Sequence, residues 1–437
     1  MRETATLPAP APAREWVREK LLLGLDLGDY VRSLKTGGNA LAFLIVVSGL
    51  AVIAYRFAKG LGSVTNLSQT TPWGLWVGLD VLCGVALAAG GYTLAAAVYI
   101  FGLEQYRPVV RPAVLTGFLG YLFAVFGLLV DLGQPWRLPY PLFYKHGVSS
   151  VMFEVGWCVF LYLIVLFLEF APALFEWLGL RGLRRRAAEI TIGLTVFGVV
   201  LSTLHQSSLG ALFLMAPGRL HPLWYSPFIP IFFFVSSIAA GLSMVIIESA
   251  LSHRIFRDQA DPERHLDLDA ITLGLGRGAA VVLFSSFFLR LQGLAEGGHW
   301  AQLRTGYGLL FLIELVGFVL LPSFLFARAA RRGDVSSVRL VAVLAVLGVV
   351  LNRLNVSLVA FDWNRPARYV PSGLEVLVSL TIITLGILSF RFIVNRMPIL
   401  RPHPQFASDG YTQRLTSERG GSPPLHSGDR VHLGHRG

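Results

Sequence analysis

The chain has 437 residues, of which 54% are hydrophobic and 14% charged, against ~25% charged in an ordinary soluble domain. Long apolar runs recur along its length, which excludes a soluble globular fold, and the ten-residue alternation of a transmembrane β-barrel is absent. The net charge of +11 is distributed over alternate loops, so nucleic acid is not the expected partner.

Residues 1–36 form an N-terminal segment, Pro/Ala-rich and then charged. It lacks the apolar run of a cleavable signal peptide, and residues 13–22 have the pattern of a short interfacial amphipathic helix. Ten apolar stretches follow, roughly 38–58, 73–101, 112–131, 148–170, 187–209, 227–251, 267–290, 305–326, 338–359 and 372–394. Each is long enough to cross about 30 Å of hydrocarbon as a helix, the one open-ended conformation that satisfies its own backbone there. The expected fold is an all-α polytopic membrane protein of about ten transmembrane helices packed as helical bundles over residues 37–400. Residues 401–437 are polar and expected to be a disordered tail.

Lys and Arg set the orientation. The N-terminal segment, the loops after even-numbered spans and the tail carry 26 of them, the other side 10, and Arg277 falls within a span. Both termini are therefore expected in the cytoplasm, with the protein in the cytoplasmic (inner) membrane. The loops assigned to the outside, 131–149, 215–226 and 361–371, are rich in Pro, Trp and Tyr. They suit an interfacial anchor belt or a docking surface for an extrinsic subunit.

An ionisable residue inside a span is costly and is a functional candidate by default. Asp80, Asp131, Glu154 and His205 are expected to converge in the outer half of spans 2 to 5, with Tyr121 deeper in span 3. Glu248 lies near the inner end of span 6, where it is either a snorkelling carboxylate or a proton entrance. Arg277 and Glu314 are expected to form a structural ion pair, and Glu375 to pair with Arg353 or Arg368. Of ten histidines only His205 lies well inside a span, which disfavours bis-histidine haem. Cys83 and Cys158 have no CxxC partners, so neither a metal site nor an iron–sulfur cluster is expected in this chain. A membrane redox subunit of this kind would use a diffusible lipid such as quinone.

Thr71-Pro72-Trp73-Gly74 resembles the TPWG motif of the NrfD/polysulfide-reductase membrane subunits, and Asp131-Leu132-Gly133-Gln134-Pro135 resembles their DLG segment. Leu204–Gly210 (LHQSSLG), Pro222-Leu223-Trp224, Asn352–Val356 (NRLNV) and Tyr369–Glu375 (YVPSGLE) are similar to the HybB-type branch, which accompanies periplasmic nickel–iron hydrogenases. The resemblance covers roughly residues 30–400. It implies a haem-free, quinone-reactive anchor, with menaquinone as the expected quinone. Its electrons would come from a periplasmic four-cluster ferredoxin-like iron–sulfur subunit and, beyond that, from the hydrogenase small and large subunits. It also implies that spans 2 to 5 hold the quinone, near Trp73, Asp80, Tyr121 and His205, and that His205, Glu154, Asp131 and Glu248 handle protons. Related subunits serve molybdopterin enzymes and multihaem cytochromes. From the residues alone, a proton-coupled secondary transporter or a purely structural anchor also remains open.

Overall fold

The computed structural model describes residues 13–144, 146–256, 265–361, 363–365 and 368–400. The tail at 401–437, expected to be disordered, lies outside them. Ten helices are long and apolar enough to cross a membrane, and no strand forms among the described residues beyond one isolated bridge, Leu220 to Phe361. The spans are Gly37–Lys59, Trp76–Ile100, Glu104–Asp131, Val151–Leu178, Arg181–Met215, Ile229–Ile255, Leu268–Gly297, Gly306–Arg332, Val335–Val359 and Gly373–Arg396, numbered 1 to 10 in that order. Their alternation defines an N-terminal face, which carries the first residues and the loops after even spans, and an opposite face.

Local chemistry sets the span ends. Thr36, Thr305, Asp334 and Ser372 each accept a backbone N–H from the first turn of the span that follows, and Ser372 with Glu375 closes a capping box. The amphipathic helix is present as Ala13–Lys20. Trp16 on it packs against Trp177 of span 4 at 5.7 Å. Nearby, Arg396 at the end of span 10 donates to the Leu21 carbonyl and the Tyr30 hydroxyl, both at 2.7 Å.

Spans 2 and 6 are the most enclosed, with about two thirds or more of their most apolar stretches buried, and they form the axis around which the rest packs. They cross at glycines. A Cβ on Gly241 would lie 2.6 Å from the Gly90 nitrogen, so the two backbones touch with no side chain between them. Between helices in lipid, close approach of small residues gains dispersion contact that larger side chains prevent.

Four stretches leave the α-helix for wider π turns: Trp76–Cys83, Ala96–Ile100, Ile313–Leu320 and Asn355–Val359. Such turns concentrate at functional sites. Here they carry Asp80, Glu314 and Asn355, all buried. Apolar periodicity does not reveal them.

The N-terminal face is fastened by a buried carboxylate. Glu176 of span 4 accepts from Arg184 of span 5 and from Arg111 of span 3, each at 2.8 Å. Removing one partner of such a buried pair costs about 3–5 kcal/mol.

Gly241→Val should destabilise the protein by about 1–3 kcal/mol, because it overpacks a backbone contact. Gly156→Val, where a Cβ meets nothing within 4 Å, should be tolerated. Thermal unfolding of the two variants in detergent checks this, and equal melting temperatures would contradict it.

Candidate functional site

The ionisable residues of spans 2 to 6 separate onto two sides of the span 2–span 3 pair. On one side is a cavity of about 430 Å³ bounded by spans 2, 3, 6, 9 and 10, with walls almost wholly aliphatic and aromatic. Asp80 and Glu248 both line it. Asp80 lies ~6 Å below the start of span 2 at the opposite face, and Glu248 ~10 Å above the N-terminal face, at 1.5 Å per residue. Each carboxyl group is held by one hydroxyl: Ser379 donates to Asp80 at 2.8 Å and Thr116 to Glu248 at 2.6 Å. Arg391 of span 10 marks the end nearest the N-terminal face. The result is an elongated apolar chamber with one carboxyl group toward each end.

On the other side, among spans 2 to 5, Tyr121 and His205 are fully buried and hydrogen-bonded to each other. His205 Nδ1 lies 2.7 Å from the Leu201 carbonyl, four residues back on its own helix. A carbonyl can only accept, so Nδ1 carries the proton. Nε2 is then the acceptor for the Tyr121 hydroxyl. Gln206 completes the chain, donating to that hydroxyl at 3.3 Å and to the Val85 carbonyl of span 2 at 3.0 Å. Tyr162 packs edge-on against Tyr121 at 4.8 Å.

The remaining candidates lie apart from both groups. Glu154, half-buried nearer the opposite face, accepts from Ser208 at 2.8 Å. Asp131 ends span 3 with Arg56 as its strongest charged neighbour, and Arg56 itself donates to the Leu132 carbonyl. Trp73 sits at the opposite face, stacked on Phe361 at 5.3 Å and edge-on to Phe213. The expected single cluster of Asp80, Asp131, Glu154 and His205 is therefore divided. Spacing along a helix gave their depth but not which side of the span each one faces.

Two expected pairs are replaced. Glu314 binds Arg290 at 2.5 Å, whereas Arg277 is exposed; Arg290, further along span 7, is the inward-facing arginine at the depth of Glu314. Glu375 serves as the span 10 cap rather than an arginine partner. It accepts from the Asn66 backbone N–H at 2.7 Å and from the Tyr369 hydroxyl, while Arg353 donates to Asn352, Ser236 and the Phe233 carbonyl. Tyr369 also accepts from Leu75 N–H. A Cβ on Gly74 would come within 2.6 Å of its hydroxyl, so the TPWG glycine makes room for the tyrosine of the YVPSGLE segment.

Glu169 is a further carboxyl group, half-buried in span 4, that sequence reading passed over. It accepts from Thr195 at 2.9 Å. It sits seven residues after Tyr162, so both lie on the same face of span 4; that heptad spacing was the available signal.

The aromatic loops of the opposite face are partly knitted together. The His221 N–H donates to the Ala360 carbonyl at 2.9 Å, and its ring stacks on Tyr307 at 4.5 Å. Burial, then the neighbouring His299, pushes the His221 imidazole down to about 4. A neutral ring is what its Nδ1 needs to accept the Leu223 N–H at 3.2 Å. In the loop after span 3, Trp136, Tyr144 and Val148 are 69%, 74% and 84% accessible.

The family model described as polysulphide reductase, NrfD, matches residues 63–360. A protein of Nitratidesulfovibrio vulgaris is 51% identical over 377 residues, covering 86% of this chain and 97% of its own length. The probable Ni/Fe-hydrogenase 2 b-type cytochrome subunit of Escherichia coli is 35% identical over 367 residues, 83% of this chain and 92% of its own. The integral membrane subunit of menaquinone reductase from Nitratidesulfovibrio vulgaris is 34% identical over 187 residues, 41% of this chain and 44% of its own. With ten apolar spans and a family match over most of its length, this chain belongs to the NrfD family of multi-pass membrane subunits.

Proposed function

We propose that this chain is the quinone-reactive membrane subunit of a respiratory oxidoreductase, and that the chamber between spans 2, 3, 6 and 10 holds the quinone. The observation that carries this reading is the chamber itself. It has space of about 430 Å³, apolar walls suited to a prenylated ring, and a carboxyl group toward each end. The relatives named for a hydrogenase and for menaquinone reduction support it, and menaquinone is the quinone we assign. A bound quinone supplies a two-electron, two-proton acceptor. Asp80, oriented by Ser379, is the polar contact close to the opposite face. Glu248, oriented by Thr116, lines the half of the chamber nearer the N-terminal face and passes protons from that side. Tyr121 and His205, with Gln206, belong to a separate relay behind the chamber wall rather than to the ring's own binding site, and Glu154 stands apart from both.

The charge count of 26 against 10 supports a cytoplasmic N-terminal face and a location in the inner membrane. The opposite face is then periplasmic, and its loop after span 3 is the surface for an extrinsic four-cluster iron–sulfur subunit fed by nickel–iron hydrogenase small and large subunits. Asp80 lies on that side of the membrane, where an extrinsic donor brings its electrons.

The E. coli relative's name includes a b-type cytochrome; we propose that this chain carries no haem. Both ring nitrogens of His205, the histidine deepest in a span, are already engaged by Tyr121 and Leu201.

Two measurements test these points. In the complex purified through this chain, Gly386→Phe should fill the chamber, since a Cβ there meets only the Phe123 ring at 3.6 Å. Hydrogen-driven reduction of a soluble naphthoquinone should be lost while hydrogen-driven viologen reduction persists; unimpaired naphthoquinone reduction would refute the chamber. Glu248→Gln should slow the same reaction on the order of 10²-fold, the usual size of a lost proton-transfer group. For haem, the dithionite-reduced visible spectrum of the purified chain should lack an α-band, and a stoichiometric band would overturn the haem-free reading.

A further inference from the structure

Spans 7, 8 and 9 enclose a second polar centre that the proposed quinone chemistry does not use. Its middle is Glu314, 0% exposed, on the π turn of span 8. Four donors converge on its carboxylate: Arg290 Nη1 at 2.5 Å, Asn352 Nδ2 at 2.6 Å, Asn355 Nδ2 at 2.7 Å and Trp224 Nε1 at 3.0 Å. A carboxylate offers about four acceptor positions, so Glu314 is saturated. The NRLNV and PLW segments thus meet at one carboxylate.

The charges there do not balance. Arg353 is 1% exposed and Arg290 7%, and guanidinium groups stay protonated. Arg353 donates only to neutral groups, namely the Asn352 side-chain carbonyl, Ser236 and the Phe233 carbonyl, with its plane over the Phe233 ring at 3.7 Å. The nearby Cys83 thiol donates to the Gly78 carbonyl at 3.1 Å, so it is not a thiolate and adds no negative charge. Two cations therefore share one anion, ~10–12 Å below the opposite face. Donors are also in surplus: Arg290 Nε is buried with no hydrogen-bond partner. Arg290 lines a small cavity of about 30 Å³ together with Asn352, Trp224, Phe232, Phe311 and Gly293. That is room for one atom-sized guest.

We infer that this cavity is a binding site for a single small monovalent anion, a halide, held by Arg290 Nε–H. A water molecule would satisfy the donor but leave the charge unbalanced; a halide does both. The rings of Trp224, Phe232 and Phe311 help form the rest of its wall and keep bulk water out.

The test uses the full chain in its purified complex, with bromide as probe. At saturating bromide, an anomalous-scattering peak is expected within hydrogen-bonding distance of Arg290 Nε. Exchanging gluconate for chloride at constant ionic strength should raise the melting temperature by about 2 °C or more, in a saturable way. Gly293→Ala keeps Arg290 and Glu314 but places a Cβ 2.9 Å from Ser226 Oγ and the Phe232 ring. It should abolish both the peak and the shift, and Arg290→Gln should do the same if it folds. Three results would overturn the proposal: no peak at saturating bromide, a peak without any halide-dependent stabilisation (an adventitious ion only), or undiminished stabilisation in Gly293→Ala.

Discussion

Hydrocarbon offers no partner to a polar atom, and the arrangement of these ten spans answers that constraint. Glu314 is the clearest case, with four donors from spans 7 and 9 and from a loop brought to one carboxylate. Glu176 does the same at the N-terminal face with two arginines. Each of these groups fixes the rotation of the helices that serve it, because a carboxylate is satisfied only if those helices present one particular face. Packing of apolar side chains alone would leave those rotations weakly determined. The π turns follow from the same demand: an extra residue in a turn swings Asp80, Glu314 or Asn355 toward a partner that regular helix would miss.

The division of the polar residues gives spans 2 and 3 two distinct jobs. One side borders an apolar chamber whose carboxyl groups, Asp80 and Glu248, have one hydroxyl partner each and therefore capacity to spare. The other side closes around a completed chain, Gln206 to Tyr121 to His205 to the Leu201 carbonyl. A group with unused hydrogen-bonding capacity beside open space suits exchange with a ligand. A fully engaged chain in a closed core suits holding or relaying a proton.

Much of the architecture was legible in the sequence because the bilayer simplifies the problem. Ten apolar runs of sufficient length mapped onto ten helices, with ends a few residues out because polar first and last turns continue several helices beyond the hydrocarbon. The family motifs were also visible, although their physical roles were not. Gly74 and Tyr369 meet across a gap of 295 positions, and NRLNV joins PLW at Glu314; neither contact leaves a local signature. Depth was readable at 1.5 Å per residue, but azimuth was not. That is why His205 and Asp80 were grouped although they face opposite sides of spans 2 and 3. Arg277 was chosen over Arg290 for another reason: span 7 continues to Gly297, past the end assigned to it, which puts Arg290 at the depth of Glu314. Glu169 was passed over because it lies close to the end assigned to its span.

The central claim is the position of the quinone, and photolabelling tests it most directly. An azido-naphthoquinone would be activated on the purified complex and the modified peptides mapped. The account predicts labels on spans 2, 3, 6 and 10, around Leu87, Phe123, Met244 and Ile383. Labels concentrated on spans 4 and 5 around Tyr162 and His205, with the chamber residues unmodified, would contradict it.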